Sequence, residues 1–486
     1  MNSFDYLPFF NEELVPKLLE DVLDWALIHG LSFRRKGSPC KYSLTAAPFT
    51  LLPSKFPADV FFDMLSLQPD MGSLYRRIAY DFDFVKSALQ GVGTVDKFVE
   101  NLLNIYKTVE KEGITQPLSL DVQRSDYMCS LNQETHKASA KQIEVNNIAV
   151  SFAGLASVCS QLHKWLLRLL MCGNTGVVET NLPANDSLQT VAAALVEAWK
   201  LYGQQQAAIL FVVEEVTLNV SDQRLIEYAV SDLTGGKVRV LRLTLGDCYR
   251  RLKLDESRGR ALVLTDDDNC EIAVAYFRTG YVPEQYDGDN SWAARMLIER
   301  SRAIKCPWIG YQLAGTKKIQ QLLTNADILR RFVSDDRMAS KIQSTFANMY
   351  GLEAESADIQ TVIDMVLYNP GAFVMKPQLE GGGNNLFDED IVNVLKTASP
   401  ESLQRFIIMD RVFPLEHRNI IVRSETGEIV PRRVVSELGI FGCMIGDDKN
   451  ILWQLNKGHL LRTKLFETNE GGVIVGASAL DSPYLS

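Results

Sequence analysis

The stretch that most constrains the fold is a glycine-rich loop at residues 376–385, which follows an apolar run at residues 372–375. The apolar run predicts a short buried strand. The glycines at 381–383 let backbone amides approach a ligand closely, in a concavity that suits phosphate. Lys376 supplies a positive charge for phosphate, and Glu380 supplies hard oxygens for Mg²⁺. We therefore predict a loop that holds a nucleoside triphosphate and its metal, with a flexible surface loop as the alternative.

The length and charge of the chain limit the functions open to it. Its 486 residues, 46% of them hydrophobic, allow two or three domains. A net charge of −10 argues against nucleic-acid or membrane partners, and no apolar run reaches the roughly 20 residues of a membrane span. The 8 cysteines lack CxxC spacing, which favours reduced thiols over zinc sites. Because no signal-peptide pattern is seen, we expect a cytoplasmic protein.

Hydrophobic patterns divide the chain into three predicted parts of an α/β protein, α+β overall. Residues 1–200 combine helices with a few half-buried strands. Residues 201–315 alternate apolar strands with helices, as in a doubly wound parallel sheet. Residues 316–486 contain the glycine-rich loop and further antiparallel strands.

Two local patterns refine this division. A helical region at residues 59–109 is predicted to break at Gly91 and Gly93, because glycine weakens a helix interior. The apolar run at residues 261–264 predicts another strand of the doubly wound unit.

Four polar residues near strands are candidate ligand-binding groups. Arg124 ends a predicted strand, where a guanidinium can receive a carboxylate, although an ordinary surface arginine is the alternative. Glu144 and Asn146 alternate with apolar neighbours and share one strand face, so either a hard cation or solvent would face them. Arg278 follows another strand, and ligands of open α/β sheets gather at the carboxyl ends of strands.

The C-terminal part adds charged residues and a second glycine-bearing loop. A buried strand is predicted at residues 406–409, and Asp410 follows it. Glu437 and the strand-like residues 460–464 bring a further carboxylate and two cations. The small residues at 470–478 predict a mobile cover over a site, with an ordinary terminal loop as the alternative.

Taken together, the chain resembles the eukaryotic glutathione synthetases, which are ATP-grasp ligases. The stretches that carry the resemblance are residues 124–128, 141–146, 276–281, 312–318, 376–385, 436–442 and 458–464. They follow the family's order and span nearly the whole chain. The resemblance implies an antiparallel ATP-binding core, an inserted doubly wound substrate domain and a glycine-rich lid.

The resemblance also implies an activity. Such an enzyme joins γ-glutamylcysteine to glycine with ATP and Mg²⁺, through an acyl phosphate, and releases glutathione, ADP and phosphate. A homodimer is implied by the resemblance alone. Two alternatives stay open: a ligase that accepts β-alanine or serine, and a non-catalytic relative that binds ATP or thiol peptides.

Roles of individual residues follow from the same resemblance. The residues expected to neutralise charge near the reacting carboxylate and phosphates are Arg278, Arg462 and Lys317. The expected ATP contacts are Lys317, Lys376, Gln378, Gly381, Gly382, Gly383, Asn384, Asn385, Met409, Asp410, Arg411, Val412, Glu437, Lys464 and Glu470. The expected contacts to the peptide substrate and the acceptor are Arg124, Ser151, Asn219, Gln223, Arg278, Arg462, Val473 and Ile474. The expected magnesium ligands are Glu144, Asn146 and Glu380.

The chain departs from the family's pattern at four places. Thr217 stands where the family has a glutamate at the peptide site, and Phe387 stands for a tyrosine. Glu470 replaces an aspartate at the nucleotide. The residues at 474–475, an isoleucine and a valine, replace two alanines in the lid, and this added bulk motivates the alternative acceptors.

Overall fold

A computed structural model describes the chain at residues 10, 12–131, 137–170, 180–353, 359–378, 384–424, 430–469, 471–474 and 476–486. Several residues singled out from the sequence lie outside this part of the chain, namely Glu380, Gly381, Gly382, Gly383, Glu470 and Val475. Within the described residues, no helix combines the length and the apolar character that crossing a membrane requires.

Helices dominate the first part of the chain. Their bounds are Val15–Ile28, Ala58–Ala79, Phe82–Val95, Lys97–Glu112, Ala153–Leu170 and Ser187–Tyr202. The predicted break at Gly91 and Gly93 is wrong, because both glycines lie inside Phe82–Val95. The breaks fall instead at Asp81 and Asp96, whose carboxylates accept backbone N–H groups at the start of the next helix. Such caps satisfy amides that a helix end leaves unpaired.

The largest sheet has nine strands and is mostly antiparallel. Its strands are Phe49–Thr50, Ser119–Leu131, Ala138–Asn146, Glu416–Asn419, Ile421–Val422, Arg432–Gly446, Ile451–Leu455, His459–Leu465 and Ser478–Asp481. At its centre, Arg432–Gly446 pairs on one side with Ser119–Leu131 and on the other with His459–Leu465. Ala138–Asn146 pairs with the outer side of Ser119–Leu131. This order brings four predicted site segments side by side.

A second, six-stranded sheet lies in the middle of the chain. Four of its strands are parallel, namely Ala208–Val212, Val240–Leu243, Cys270–Phe277 and Ile304–Cys306. The helices of this region are Val220–Thr234, Leu245–Arg251 and Gly288–Arg300. The remaining two strands, Leu252–Asp255 and Ala261–Leu264, pair antiparallel. The strand predicted at residues 261–264 is therefore present, but the short connection to Cys270–Phe277 forces a hairpin, because parallel strands need a longer crossover.

A third sheet of four antiparallel strands carries the predicted nucleotide segments. Its strands are Met349–Gly351, Phe373–Pro377, Leu386–Phe387 and Phe406–Asp410. The helices of this part of the chain are Ile309–Ala314, Lys317–Leu323, Ala326–Phe332, Asp336–Thr345, Ile359–Tyr368, Asp388–Thr397 and Pro400–Leu403. Two small sheets complete the fold and pair Ser32–Arg34 with Leu44–Ala46, and Ser54–Phe56 with Pro483–Leu485.

One buried carboxyl group in the large sheet predicts a pH dependence of stability. Asp121 is 1% exposed, and neither carboxyl oxygen has a hydrogen-bond partner among the described residues. Burial raises the pKa of Asp121 well above its ordinary value. The folded chain therefore keeps a proton that the unfolded chain releases at the ordinary aspartate pKa, so the free energy of unfolding falls as pH rises toward the folded pKa.

We expect Asp121→Asn, which cannot ionise, to lose this dependence. Between pH 5 and pH 8 the free energy of unfolding of the unmodified chain should fall more steeply than that of the variant, by up to about 1.4 kcal/mol per pH unit. Urea unfolding of both proteins at several pH values measures the difference. Parallel stability curves would contradict the assignment of a buried neutral acid.

Candidate active site

The predicted site residues of the large sheet meet because of strand register. Arg124 lies opposite Asn146, and Asp126 lies opposite Glu144, on neighbouring strands. On the next two strands of the sheet, on the other side of Ser119–Leu131, Glu437 lies opposite Arg462.

Arg124 and Asp126 form a buried, two-pronged ion pair. The Nε of Arg124 donates to Oδ1 of Asp126 at 2.6 Å, and Nη2 donates to Oδ2 at 2.8 Å. Its Nη1 donates to the backbone oxygen of Ser151 at 3.0 Å. Asn146 donates to Oδ2 of Asp126 at 2.9 Å and to Oε1 of Glu144 at 3.2 Å. Paired donors of this kind fix the guanidinium plane as well as the charge.

Arg462 is surrounded by carboxylates. Its Nη2 lies 3.2 Å from Oδ2 of Asp126 and 3.9 Å from Oε1 of Glu144, and it also contacts Glu437. Burial alone would lower the pKa of Arg462, but these three carboxylates outweigh it and raise the pKa above the ordinary value. Arg462 is therefore a permanent positive charge at this centre.

Glu144 is held in its ionised form. Burial would raise its pKa, but Lys317, Arg462 and Lys376 outweigh burial and hold the pKa well below its usual range. The Nζ of Lys317 lies 3.4 Å from Oε2 of Glu144, and the Nζ of Lys376 donates to the backbone oxygen of Ile143 at 2.9 Å. Both lysines are 4% exposed. A partly buried carboxylate beside two lysines and an arginine can hold a cation while the lysines face phosphate oxygens.

The carboxylates of this centre are close enough to share a hard cation. Asp126, Glu144 and Glu437 each offer one oxygen, and these oxygens lie within 4.8 Å of one another. Of the predicted magnesium ligands, Glu144 and Asn146 come together here, while Glu380 is outside the described residues. Asp126 was not predicted as a functional residue, although period-two alternation places it on the same strand face as Arg124. The side-chain oxygens of Glu144 and Asn146 are of the kind that Mg²⁺ prefers.

The predicted peptide-binding residues gather around Arg278, which follows the strand Cys270–Phe277. Its Nη2 donates to Oδ2 of Asp222 at 2.8 Å and to Oγ of Ser151 at 3.0 Å. Its Nε and Nη1 are buried and have no hydrogen-bond partner among the described residues. Burial would lower the pKa of Arg278, but Tyr276 and Asp222 raise it, so the guanidinium stays charged. Two unpaired donors on a buried cation suit the carboxylate of a bound ligand.

Asp222 anchors this arrangement, and the sequence did not single it out. Its carboxylate accepts the backbone N–H groups of Phe152 at 2.9 Å and Gly154 at 2.8 Å, where the helix Ala153–Leu170 begins. The amide of Asn219 lies 3.5 Å from the same carboxylate. Because Asp222 spans a helix start and Arg278, it fixes the side chain that would meet the ligand.

Gln223 lies beside this cluster with both ends of its amide engaged. Its Nε2 donates to Oγ1 of Thr217 at 3.2 Å, and Arg242 donates to its Oε1 at 2.6 Å. Asn219, by contrast, has a buried side-chain oxygen without a hydrogen-bond partner among the described residues. That oxygen and the free donors of Arg278 are complementary polar groups for one ligand.

The predicted nucleotide segment lines an apolar cluster. Met409 lies opposite Val374 in the four-stranded sheet and packs with Ile407, while Phe387 and Val412 pack against the cluster edge. Apolar side chains such as these can pack against a flat base.

The polar residues around that cluster hold one another in place. The carboxylate of Asp410 accepts from Asn348 at 2.7 Å. Arg411 donates to the side chain of Asn469 at 3.0 Å, and Lys464 donates to the backbone oxygen of the same residue at 2.8 Å. Further along, the side-chain oxygen of Gln378 accepts the backbone N–H of Lys318 at 3.0 Å. Asn384 and Asn385 precede the strand Leu386–Phe387.

Residues 12–485 match the family model for the eukaryotic glutathione synthase, ATP binding domain. The chain belongs to this family. A curated glutathione synthetase from Xenopus laevis is 39% identical over 477 residues, which cover 96% of this chain and 97% of that protein. The curated glutathione synthetase of Homo sapiens is 37% identical over 481 residues, or 98% of each chain. The predicted family is confirmed.

A solved structure extends the comparison to the fold. A glutathione synthetase-like effector from Globodera pallida, solved in its apo form, has a TM-score of 0.77 to this chain, with 25% identity and 98% coverage of each chain. The predicted fold class is thereby confirmed.

Three of the residues at which the chain departs from the family's pattern lie in the part that the structure describes, and each has different neighbours. Thr217 is 4% exposed, and its hydroxyl oxygen accepts a hydrogen bond from Gln223 at 3.2 Å. The ring of Phe387 faces the guanidinium of Arg411 at 5.4 Å. In the lid, Val473 is 1% exposed and belongs to the core, whereas Ile474 is 40% exposed. Of these two side chains, Ile474 is the one at the surface.

Proposed function

We propose that the chain is an ATP- and Mg²⁺-dependent ligase that joins γ-glutamylcysteine to glycine and releases glutathione, ADP and phosphate. The observation that carries the proposal, within this family, is the placement of Ser151. Its backbone oxygen accepts from Arg124, and its hydroxyl accepts from Arg278. One residue therefore joins the cluster around Arg278 to the carboxylate centre beside Lys317, as a reaction between a bound carboxylate and ATP requires.

The proposed chemistry needs positioning and charge neutralisation more than a protein nucleophile. The cysteinyl carboxylate attacks the γ-phosphorus of ATP, which gives an acyl phosphate and ADP. The amine of glycine then adds to the acyl carbon, and phosphate leaves. Arg278 and Arg462 offset the carboxylate and oxyanion charge, and Lys317 faces the phosphates. A bound Mg²⁺ would offset further phosphate charge.

We propose residue roles on the same basis. Glu144, Asn146 and Glu380 are the proposed magnesium ligands. The proposed ATP contacts are Lys317, Lys376, Gln378, Gly381, Gly382, Gly383, Asn384, Asn385, Met409, Asp410, Arg411, Val412, Glu437, Lys464 and Glu470. The proposed contacts to γ-glutamylcysteine and glycine are Arg124, Ser151, Asn219, Gln223, Arg278, Arg462, Val473 and Ile474. The division at residues 1–200, 201–315 and 316–486 is proposed to separate the helical part, the peptide-binding unit and the lid-bearing core.

The test is ADP release from ATP, Mg²⁺ and γ-glutamylcysteine, measured with glycine, β-alanine, serine or no acceptor. Release that needs glycine, with glutathione formed in equal amount, is the expected result. A higher kcat/KM with β-alanine or serine than with glycine would identify that amino acid as the acceptor. Folded protein that binds ATP but forms no product with any acceptor would refute the ligase.

We further propose a homodimer, on the basis of the family resemblance, and a cytoplasmic location, on the basis of cysteines that lack CxxC spacing. Light scattering of the purified protein tests the oligomeric state, and the mass of a dimer is the expected result. A monomer at micromolar concentration would contradict it. Fractionation of cells that express the full-length protein tests its location.

A further inference from the structure

Asp126 contacts three residues that were predicted for the active site, although Asp126 itself was assigned no role from the sequence. Its carboxylate is 0% exposed and accepts hydrogen bonds from Arg124, Asn146 and Arg462. These three donors come from three strands of the large sheet, Ser119–Leu131, Ala138–Asn146 and His459–Leu465. One buried carboxylate therefore sets the relative orientation of three side chains that are distant along the chain.

Both oxygens of Asp126 are already occupied by protein donors. Oδ1 accepts Nε of Arg124 at 2.6 Å. Oδ2 accepts Nη2 of Arg124 at 2.8 Å, Nδ2 of Asn146 at 2.9 Å and Nη2 of Arg462 at 3.2 Å. Three donors on one oxygen leave that oxygen no free lone pair for a cation. Oδ1 accepts one hydrogen bond, so the carboxylate as a whole receives four hydrogen bonds on its roughly four lone-pair sites. This makes holding the donors in place a better account of Asp126 than metal ligation.

The neighbouring strand is shaped to accommodate this arrangement. Gly439 lies directly opposite Asp126 in the register of the sheet. A Cβ atom at Gly439 would stand 2.6 Å from Oδ1 of Asp126 and 2.7 Å from Cδ of Arg124, closer than real Cβ contacts allow. The missing side chain at Gly439 therefore leaves the space that the Arg124–Asp126 pair occupies.

We infer that Asp126 is a positioning residue of the reaction, which holds Arg124, Asn146 and Arg462 in the orientation in which they meet the substrates, and that Gly439 keeps the space for it. The inference rests on the proposed function. It assigns Asp126 no contact with a substrate. A misplacement of about 1 Å in such groups can cost about 100-fold in rate.

The test compares Asp126→Asn with Gly439→Ala. Asparagine keeps the size of Asp126 but removes a charge and one acceptor oxygen, and alanine changes no charge at all. Both variants should lose about 100-fold in kcat and raise KM for γ-glutamylcysteine about tenfold, with KM for ATP within about twofold. Asp121→Asn is the matched control, because Asp121 lies on the same strand, is 1% exposed and makes no side-chain hydrogen bond within the described part of the chain. It should keep the kcat and KM values of the unmodified protein.

Three results would overturn the inference. The first is unchanged kcat and KM in both site variants at a temperature well below their melting points, which would leave only a structural role. The second is a rise in the Mg²⁺ concentration for half-maximal rate as the sole effect of Asp126→Asn, which would make Asp126 a metal ligand. The third is unchanged affinity of Asp126→Asn for γ-glutamylcysteine in calorimetry without turnover. Failure of the proposed function can be told apart from failure of this inference, because the unmodified protein would then form no glutathione. Calorimetry with γ-glutamylcysteine would still decide the role of Asp126.

Discussion

Glu144→Gln is expected to lower the rate of ADP formation by about 100- to 1000-fold. Glu144 lies 3.4 Å from Lys317 and is kept ionised by the surrounding cations, which outweigh its burial and hold its pKa well below the usual range. A neutral amide of the same size cannot balance those cations or supply the same charge to Mg²⁺. Steady-state ADP release over a range of Mg²⁺ concentrations measures both the maximal rate and the metal dependence.

Glu110→Gln is the matched control for this substitution. Glu110 pairs with Lys86 at 2.7 Å on two helices of the first part of the chain. The pair is partly exposed, so its loss should have little effect on stability and leave turnover unchanged. A Glu144→Gln protein with normal turnover and normal Mg²⁺ dependence would remove Glu144 from the metal site.

Asp222→Ala should reduce the free energy of unfolding by about 3–5 kcal/mol. The substitution leaves Arg278 as a buried charge without its carboxylate, and it frees the backbone N–H groups of Phe152 and Gly154. Phe152 and Gly154 are both buried in the folded chain, so water does not replace the lost partner of either amide. Urea unfolding measures the loss, and faster hydrogen exchange at those two amides locates it.

Asp96→Ala separates the capping effect from the ion pair. Asp96 also accepts backbone N–H groups at a helix start, from Phe98 and Val99, but it holds no buried arginine. Its loss should cost about 1 kcal/mol, as for an ordinary helix cap. Equal losses in the two variants would mean that the Arg278–Asp222 pair adds nothing beyond the cap.

Local patterns predicted those parts of the site that lie on one strand. Period-two alternation was enough to place Glu144 and Asn146 on one face, and the structure brings them within 3.2 Å. The same reasoning applied to Asp126 would have placed it beside Arg124. The strand at residues 261–264 was also predicted correctly. Its antiparallel direction was not, because that direction is set by the short turn that follows the strand.

Contacts between distant segments could not be predicted from periodicity. Arg278 meets Asp222 across 56 residues of chain and meets Ser151 across 127. Such contacts depend on the packing of the helix Val220–Thr234, which carries Asp222, against the helix Ala153–Leu170, and no local pattern encodes that packing. The family resemblance supplied Ser151, Asn219 and Gln223 but not Asp222. The helix breaks at Asp81 and Asp96, in contrast, could have been predicted, because aspartate is a common residue at the start of a helix. The prediction placed the break at the nearby glycines instead.

The measurement that tests the central claim most directly follows an isotope through the reaction. γ-Glutamylcysteine carrying ¹⁸O in both oxygens of its cysteinyl carboxylate is incubated with ATP, Mg²⁺ and glycine, and the phosphate is analysed by mass spectrometry. We expect glutathione and phosphate in equal amounts, with one ¹⁸O atom in each phosphate, because the carboxylate oxygen that attacks ATP leaves with the phosphorus. Phosphate without ¹⁸O, or ATP consumption without glutathione, would contradict the proposed ligase.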